Sequence, residues 1–355
     1  MRRFLSSIAV IAVCLAPLHL AMSAALDGPP AYHVTKTVML GAPERWDYVV
    51  FDPSTHDVFV SHDDRVSVVD GRTGTIVGTV EGMPGGTHGF GISAATGKGY
   101  TQDRGARVAV AFDLKTLKPS KRIPVDEDAD SIAFDPTSGH VFVVDGDPSK
   151  VTVIDPMTDS VIATINVGIG KLEYAVAGNN GKLYVNGADK KEIVRIDTKS
   201  NNVDAHWPVP NCTSPHGMAF DSATHRLFTS CTNRILVVVD TDNGSQIASV
   251  PIGRGTDAVA FDPKRKLVFS SNGLDGNLSI IQERDAKTFV NLGTVKTAVS
   301  ARTMAIDPDT GRIYLAAAEL DPAAPPPTSG RDMKIIPGSF RLLCLDPPGP
   351  GRICF

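Results

Sequence analysis

Two histidines, three aspartates and an arginine recur in this sequence at near-regular intervals, as Asp47, His88, Asp130, His216, Asp257 and Arg302. Each stands four residues before an apolar marker: Phe51, Ile92, Phe134, Phe220, Phe261 or Ile306. The remaining marker, Val176, has Leu172 at that position and Glu173 beside it, so a one-residue shift in that unit adds Glu173 to the set. Imidazole with carboxylate suits zinc or another transition ion, and His88, His216, Asp130 and Asp257 are the candidate ligands for a divalent metal ion. With the guanidinium included, the set suits a small charged ligand instead. A water-filled channel mouth needs the same residue types, so one such residue argues little. Opposite charges gathered in one place argue more, because half-buried charges need partners.

What could gather them is a repeat. The seven markers follow one another at steps of 41, 42, 42, 44, 41 and 45 residues, and self-similarity at such a period is the mark of a radial or solenoid array. One unit, "DSIAFDPTSGHVFVVDGDPSKVTVIDPMTDSVIATINV" from Asp130 to Val167, contains four short β-branched runs separated by Asp, Pro, Gly and Ser turns. That is a four-stranded meander. Such a sheet cannot bury both faces alone, so seven of them stack around an axis: an all-β, seven-bladed β-propeller of four-stranded blades. "YHVTKTVML" at Tyr32–Leu40 reads as a fourth strand lying ahead of the first unit, and the last unit lacks one. The N-terminal strand is therefore expected to complete the last blade and remove the open edge. A Pro-rich loop insertion at 321–338 interrupts that blade, within a single domain covering 26–355. The inner strands would then carry Asp47, His88, Asp130, Glu173, His216, Asp257 and Arg302 to the channel mouth, with the strand ends His62, Asp63, Asp103, Asp145, Asn186 and Asn272 on the same face.

The pieces "VFVVD" (141–145), "VTVIDPMTDSVIATINVG" (151–168), "LYVNG" (183–187) and "IVRIDTKSNNV" (193–203) resemble the YVTN-type, or YncE-like, repeat family of exported bacterial seven-bladed propellers. The resemblance covers about residues 32–346 and implies fold and export. It brings no agreed catalytic set, and fold alone does not supply a function.

The first 25 residues read as a cleavable export signal, with Arg2 and Arg3 ahead of an apolar run that Pro17 and His19 interrupt before about twenty residues. Without them, 33 basic residues face 39 acidic ones, a balance that makes nucleic acid an unlikely partner. The location expected is the periplasm or the outside of the cell, with no membrane span after cleavage, as a monomer. Cys212, Cys231, Cys344 and Cys354 then remain, an even number suited to an oxidising compartment. Three pairings are possible. Cys212–Cys231, which flank one hairpin, and Cys344–Cys354, which would staple the tail to the last blade, are favoured.

No H-E-x-x-H, G-x-S-x-G, Walker or dinucleotide signature occurs. His56, His140 and His225 fall in the first hairpin turn of their units, on the opposite face. The Asp residues of the markers' turns, Asp52, Asp135, Asp262 and Asp307, are expected to accept backbone N–H bonds. The function expected is a ligand-binding or protein-interaction propeller, acting through the channel mouth and one loop face. Its alternative is a metal-assisted, lactonase-like hydrolase at the same mouth.

Overall fold

A computed structural model describes residues 28–330 and 332–349. These form seven four-stranded antiparallel sheets and one short 3-10 turn, Ala94–Thr96. The innermost strands are Trp46–Phe51, Gly91–Ser93, Ala129–Asp135, Leu172–Ala177, Pro215–Asp221, Thr256–Asp262 and Thr303–Ile306, belonging to blades 1 to 7 in that order. Blade 7 is closed as the sequence predicts: His33–Met39 pairs antiparallel with Arg341–Asp346, which pairs with Ile313–Ala317. The proposed signal segment lies outside the described residues, as does Cys354, the suggested partner of the buried Cys344.

Each junction between neighbouring blades holds its own hydrophobic cluster. Phe59, Val66 and Val68 of blade 1 meet Phe90, Val110 and Phe112 of blade 2, and equivalent clusters follow around the ring to blades 7 and 1. Burial is therefore shared between units, which is why no unit could stand alone. The marker turns behave as their chemistry requires. Asp52 accepts from Ser54 N at 2.9 Å, Asp262 from Lys264 N and Arg265 N at 2.9 Å, and Asp307 from Asp309 N at 2.9 Å. His56 and His225 occupy left-handed turn positions with φ of 64° and 57°. In blade 3 Gly139 takes that position and His140 opens the next strand, so the three histidines are not equivalent as the sequence reading had them.

Cys212 and Cys231 form a disulfide across 19 residues, the favoured pairing. By loop-closure entropy such a crosslink is worth about 3 kcal/mol. Replacing both cysteines with serine should lower the urea-unfolding free energy by about that amount, and an unchanged midpoint would remove the disulfide from the account of stability.

Candidate functional site at the channel mouth

The inner strands do not run straight into the channel. In blades 1, 4, 5 and 6 two residues face one across the pairing with the second strand, at 47–48, 173–174, 216–217 and 257–258. Blade 3 shows the same irregularity at Asp130. A bulge of this kind bends the strand and re-aims a side chain. Here it turns the first bulged residue toward the axis. The register also resolves the fourth unit: Ala177 pairs with Leu183 as Phe51 pairs with Val58, so Ala177 is the equivalent of the marker. Leu172 is fully buried in its blade, and Glu173 occupies the axial position.

In the bulged blades 3 and 5, and in blades 2 and 7 where the axial residue precedes the strand, the preceding blade supplies the axial carbonyl with a hydrogen-bond donor. Ser61 Oγ donates to the His88 carbonyl, Gln102 Nε2 to that of Asp130 at 3.0 Å, Asn186 Nδ2 to that of His216 at 2.5 Å and Ser271 Oγ to that of Arg302. All four donors are fully buried polar side chains, which a core tolerates only when they are hydrogen-bonded. They fix the depth at which each axial residue stands. The glycine after each histidine has a separate cause: a Cβ on Gly217 would lie 2.5 Å from Ala258 Cα, and one on Gly89 would lie 2.4 Å from the Asp130 carbonyl oxygen. In Pro-His-Gly and Thr-His-Gly the glycine lets two blades touch backbone to backbone.

Asp47, His88, Asp130, Glu173, His216 and Asp257 line one cavity of about 270 Å³. Arg302 lines an adjoining vestibule of about 440 Å³, together with Gly330, Met333 and Ile335 of the blade 7 insertion. His88 sits between carboxylates: Nδ1 is 2.8 Å from Asp130 and Nε2 is 3.4 Å from Asp47 and 2.9 Å from Arg104 Nη1. Arg302 Nε donates to Asp257 at 2.7 Å and its Nη2 to the Trp46 carbonyl at 2.8 Å. Burial works against charge on His88, but Asp47 and Asp130 outweigh it and raise its pKa. Burial also pushes Glu173 up, to about 7, helped by the neighbouring Asp130 charge. Asp130 itself is held low despite burial, by its hydrogen bond and charge attraction to His88.

Three participants escaped the sequence reading. Lys171 lies 3.1 Å from Glu173, and Arg104 is ion-paired to Asp128; neither is at the repeating position. The third is the residue after each axial one, namely Tyr48, Gly89, Ser131, Tyr174, Gly217, Ala258 and Thr303. Tyr48 and Tyr174 come from non-adjacent blades and stack with ring centroids 5.1 Å apart, while the other five positions are small enough to leave them room. Together with Val49, Ala258, Thr303 and Met304 the pair floors the charged cavity. Beyond it, on the opposite face, Phe51, Phe220, Phe261 and Ile306 line an apolar opening. The strand-end residues expected at the mouth are elsewhere occupied: His62 is buried against Ser67 and the Pro43 carbonyl, Asp145 against Thr152, and Asn272 against Asn277 and Ser279.

The four candidate metal ligands are not arranged as a donor set. Both His88 nitrogens are engaged, Asp257 is held by Arg302, and Arg104 and Lys171 stand among the carboxylates. Among the described residues no group of three or more His, Cys, Asp or Glu side chains is disposed to hold a metal ion.

No family model matches the chain. It is 29% identical over 175 residues to the uncharacterized protein YncE of Salmonella typhimurium, a stretch that is 48% of this chain and 48% of that protein. The same figures hold for the YncE of Salmonella typhi. The chain is a seven-bladed β-propeller similar over that stretch to YncE. It thus spans about half the length of the curated relatives it matches, and those relatives carry no assigned activity. Its fold is shared with the RRP9 WD40 repeats (TM-score 0.74, 10% identity, 90% of this chain and 99% of that one). It is shared also with Kuenenia stuttgartiensis hydrazine synthase (TM-score 0.68, 14% identity, 79% and 95%). At such identity the likeness is one of fold, and the propeller is a common scaffold for protein interaction. The Cys212–Cys231 disulfide is consistent with an exported protein. Among the described residues no helix is long and apolar enough to cross a membrane.

Proposed function

We propose that this propeller is an exported ligand-binding module whose site is the floored cup at the channel mouth, with the blade 7 insertion forming part of its rim. The observation that carries this reading is the tyrosine floor beneath the charged ring. A water-filled channel has no need of two stacked phenols from non-adjacent blades, whereas a ligand cup needs a closed, partly aromatic base with a few convergent polar groups. The wall is preorganised, since buried side chains of one blade tether the axial residues of the next. Partner proteins would meet the same face through the loops around the cup.

Thermal unfolding with separate panels of small anions, zwitterions and organic cations tests the reading. At about a hundred times its dissociation constant a ligand adds about 2.7 kcal/mol of stability, enough for a clear rise in Tm. At least one panel should raise the Tm of the wild type and leave a folded Tyr174→Ala/His216→Ala variant unmoved. No shift with any panel, or equal shifts in both proteins, would sink it.

A further inference from the structure

We infer that the cup takes an organic ammonium ion, its positive head held between Glu173 and Asp257 and over the Tyr48–Tyr174 floor. This rests on the ligand-binding reading above and names its ligand class.

The sign follows from counting charges. Five carboxylates line the cavity, Asp47, Asp128, Asp130, Glu173 and Asp257, against the two cations Arg104 and Lys171. With Arg302 from the vestibule and a charged His88 counted, the carboxylates are one ahead once Glu173 is ionised, as an arriving cation favours. The cations are also committed. Arg104 holds Asp128 and meets His88, Arg302 spans Asp257 and the Trp46 carbonyl, and Lys171 is on Glu173. An anion would have to break those pairs to find a partner. A cation can share the carboxylates without breaking them, since those pairs engage Glu173 through Oε1 and Asp257 through Oδ2.

A bare metal ion fits this chemistry poorly, because guanidinium groups sit among the oxygens and the floor is phenyl surface. An ammonium on a carbon skeleton uses both features, by ion pairing at the wall and by contact of its skeleton with the tyrosine rings that line the cavity. Glu173 makes the capture sensitive to pH. Its carboxyl is pushed up to about 7 by burial and by the Asp130 charge, so near neutrality it is partly protonated. An arriving ammonium favours the carboxylate, and the carboxyl proton leaves to solvent as the cation enters.

The test is calorimetric titration with three probes of one shape: benzylamine, benzyl alcohol and benzoate. Benzylamine should bind the wild type, and at pH 7 the heat should vary with the buffer's ionisation enthalpy in the sense of proton release. Glu173→Gln and Asp257→Asn should each weaken it about ten-fold or more, as expected for losing a charge-assisted hydrogen bond, and Glu173→Gln should also abolish the buffer dependence. Two variants are used because Asp257→Asn loosens Arg302; retained Tm qualifies each. Benzoate or benzyl alcohol binding as tightly as benzylamine overturns the ammonium assignment and leaves the ligand cup standing. Binding of none of the three, with no panel shifting the Tm, overturns both.

Discussion

Deleting residues 28–40 should abolish cooperative folding, although the segment lines neither the cavity nor the vestibule at the channel mouth. The strand His33–Met39 forms the outer strand of blade 7. Tyr32, 4% exposed, packs edge-on to Phe269 with centroids 5.3 Å apart, and Val38, 6% exposed, joins the cluster between blades 7 and 1. Burying those two side chains is worth about 3–6 kcal/mol, against a total stability of about 5–15 kcal/mol for a typical domain. Deletion also bares Arg341–Asp346 as a hydrogen-bonding edge that invites association. The shortened chain should show a broad, low-temperature transition and self-association by light scattering, and a synthetic peptide of residues 31–40 should restore a sharp one. A deletion variant with wild-type Tm would refute the ring-closure account.

The second large effect is on stability against pH. Burial pushes Asp145, Glu173 and Glu283 up to about 7. A carboxyl whose folded value exceeds its unfolded value binds more protons when folded, so its contribution is full below about pH 4 and is lost as pH rises through about 7. His88, raised mainly against its burial by Asp47, adds to the same trend above its unfolded value, while His62, lowered by burial, opposes it. The carboxylates held low by partners, such as Asp130 and Asp221, have completed their change below pH 5. Stability should therefore fall by a few kcal/mol between pH 5.5 and pH 8. Glu283 isolates one contribution. It is 3% exposed, accepts from Thr224 Oγ1 at 2.7 Å and lies against Asp221. Glu283→Gln keeps the shape and removes the charge, so it should gain about 1–3 kcal/mol at pH 8 and flatten the slope. Urea midpoints at the two pH values check both statements. A wild type more stable at pH 8, or a variant weakened there, would contradict them.

Much of this molecule was written locally. Turn chemistry and β-branched runs repeat within each unit, so seven blades, their strand count and the closing strand could be read directly. The axial positions could be read because one repeat offset recovers six of them. Glu173 needed a shift because Val176, the apolar residue read as the fourth marker, stands one place short, and only strand register shows that Ala177 takes the place of Phe51. The tyrosine floor could not be read this way. Tyr48 and Tyr174 meet across the channel from blades three apart, and nothing near either residue announces the other. Arg104 and Lys171 likewise reach the cup from outside the repeating position. His62, Asp145 and Asn272 looked available as polar strand ends, but packing between blades buries them and their neighbours satisfy them.

The central claim is that ligands enter on the face where the axial residues converge, and two groups of histidines mark the two faces. His88 and His216 line the cup, whereas His56, His140 and His225 lie at the first hairpins on the far side. Imidazole C–H resonances followed by NMR during a benzylamine titration would locate the ligand directly. His88 and His216 should shift in a saturable manner while the hairpin histidines stay fixed. Saturable shifts confined to His56, His140 and His225 would move the site to the opposite face and contradict the account.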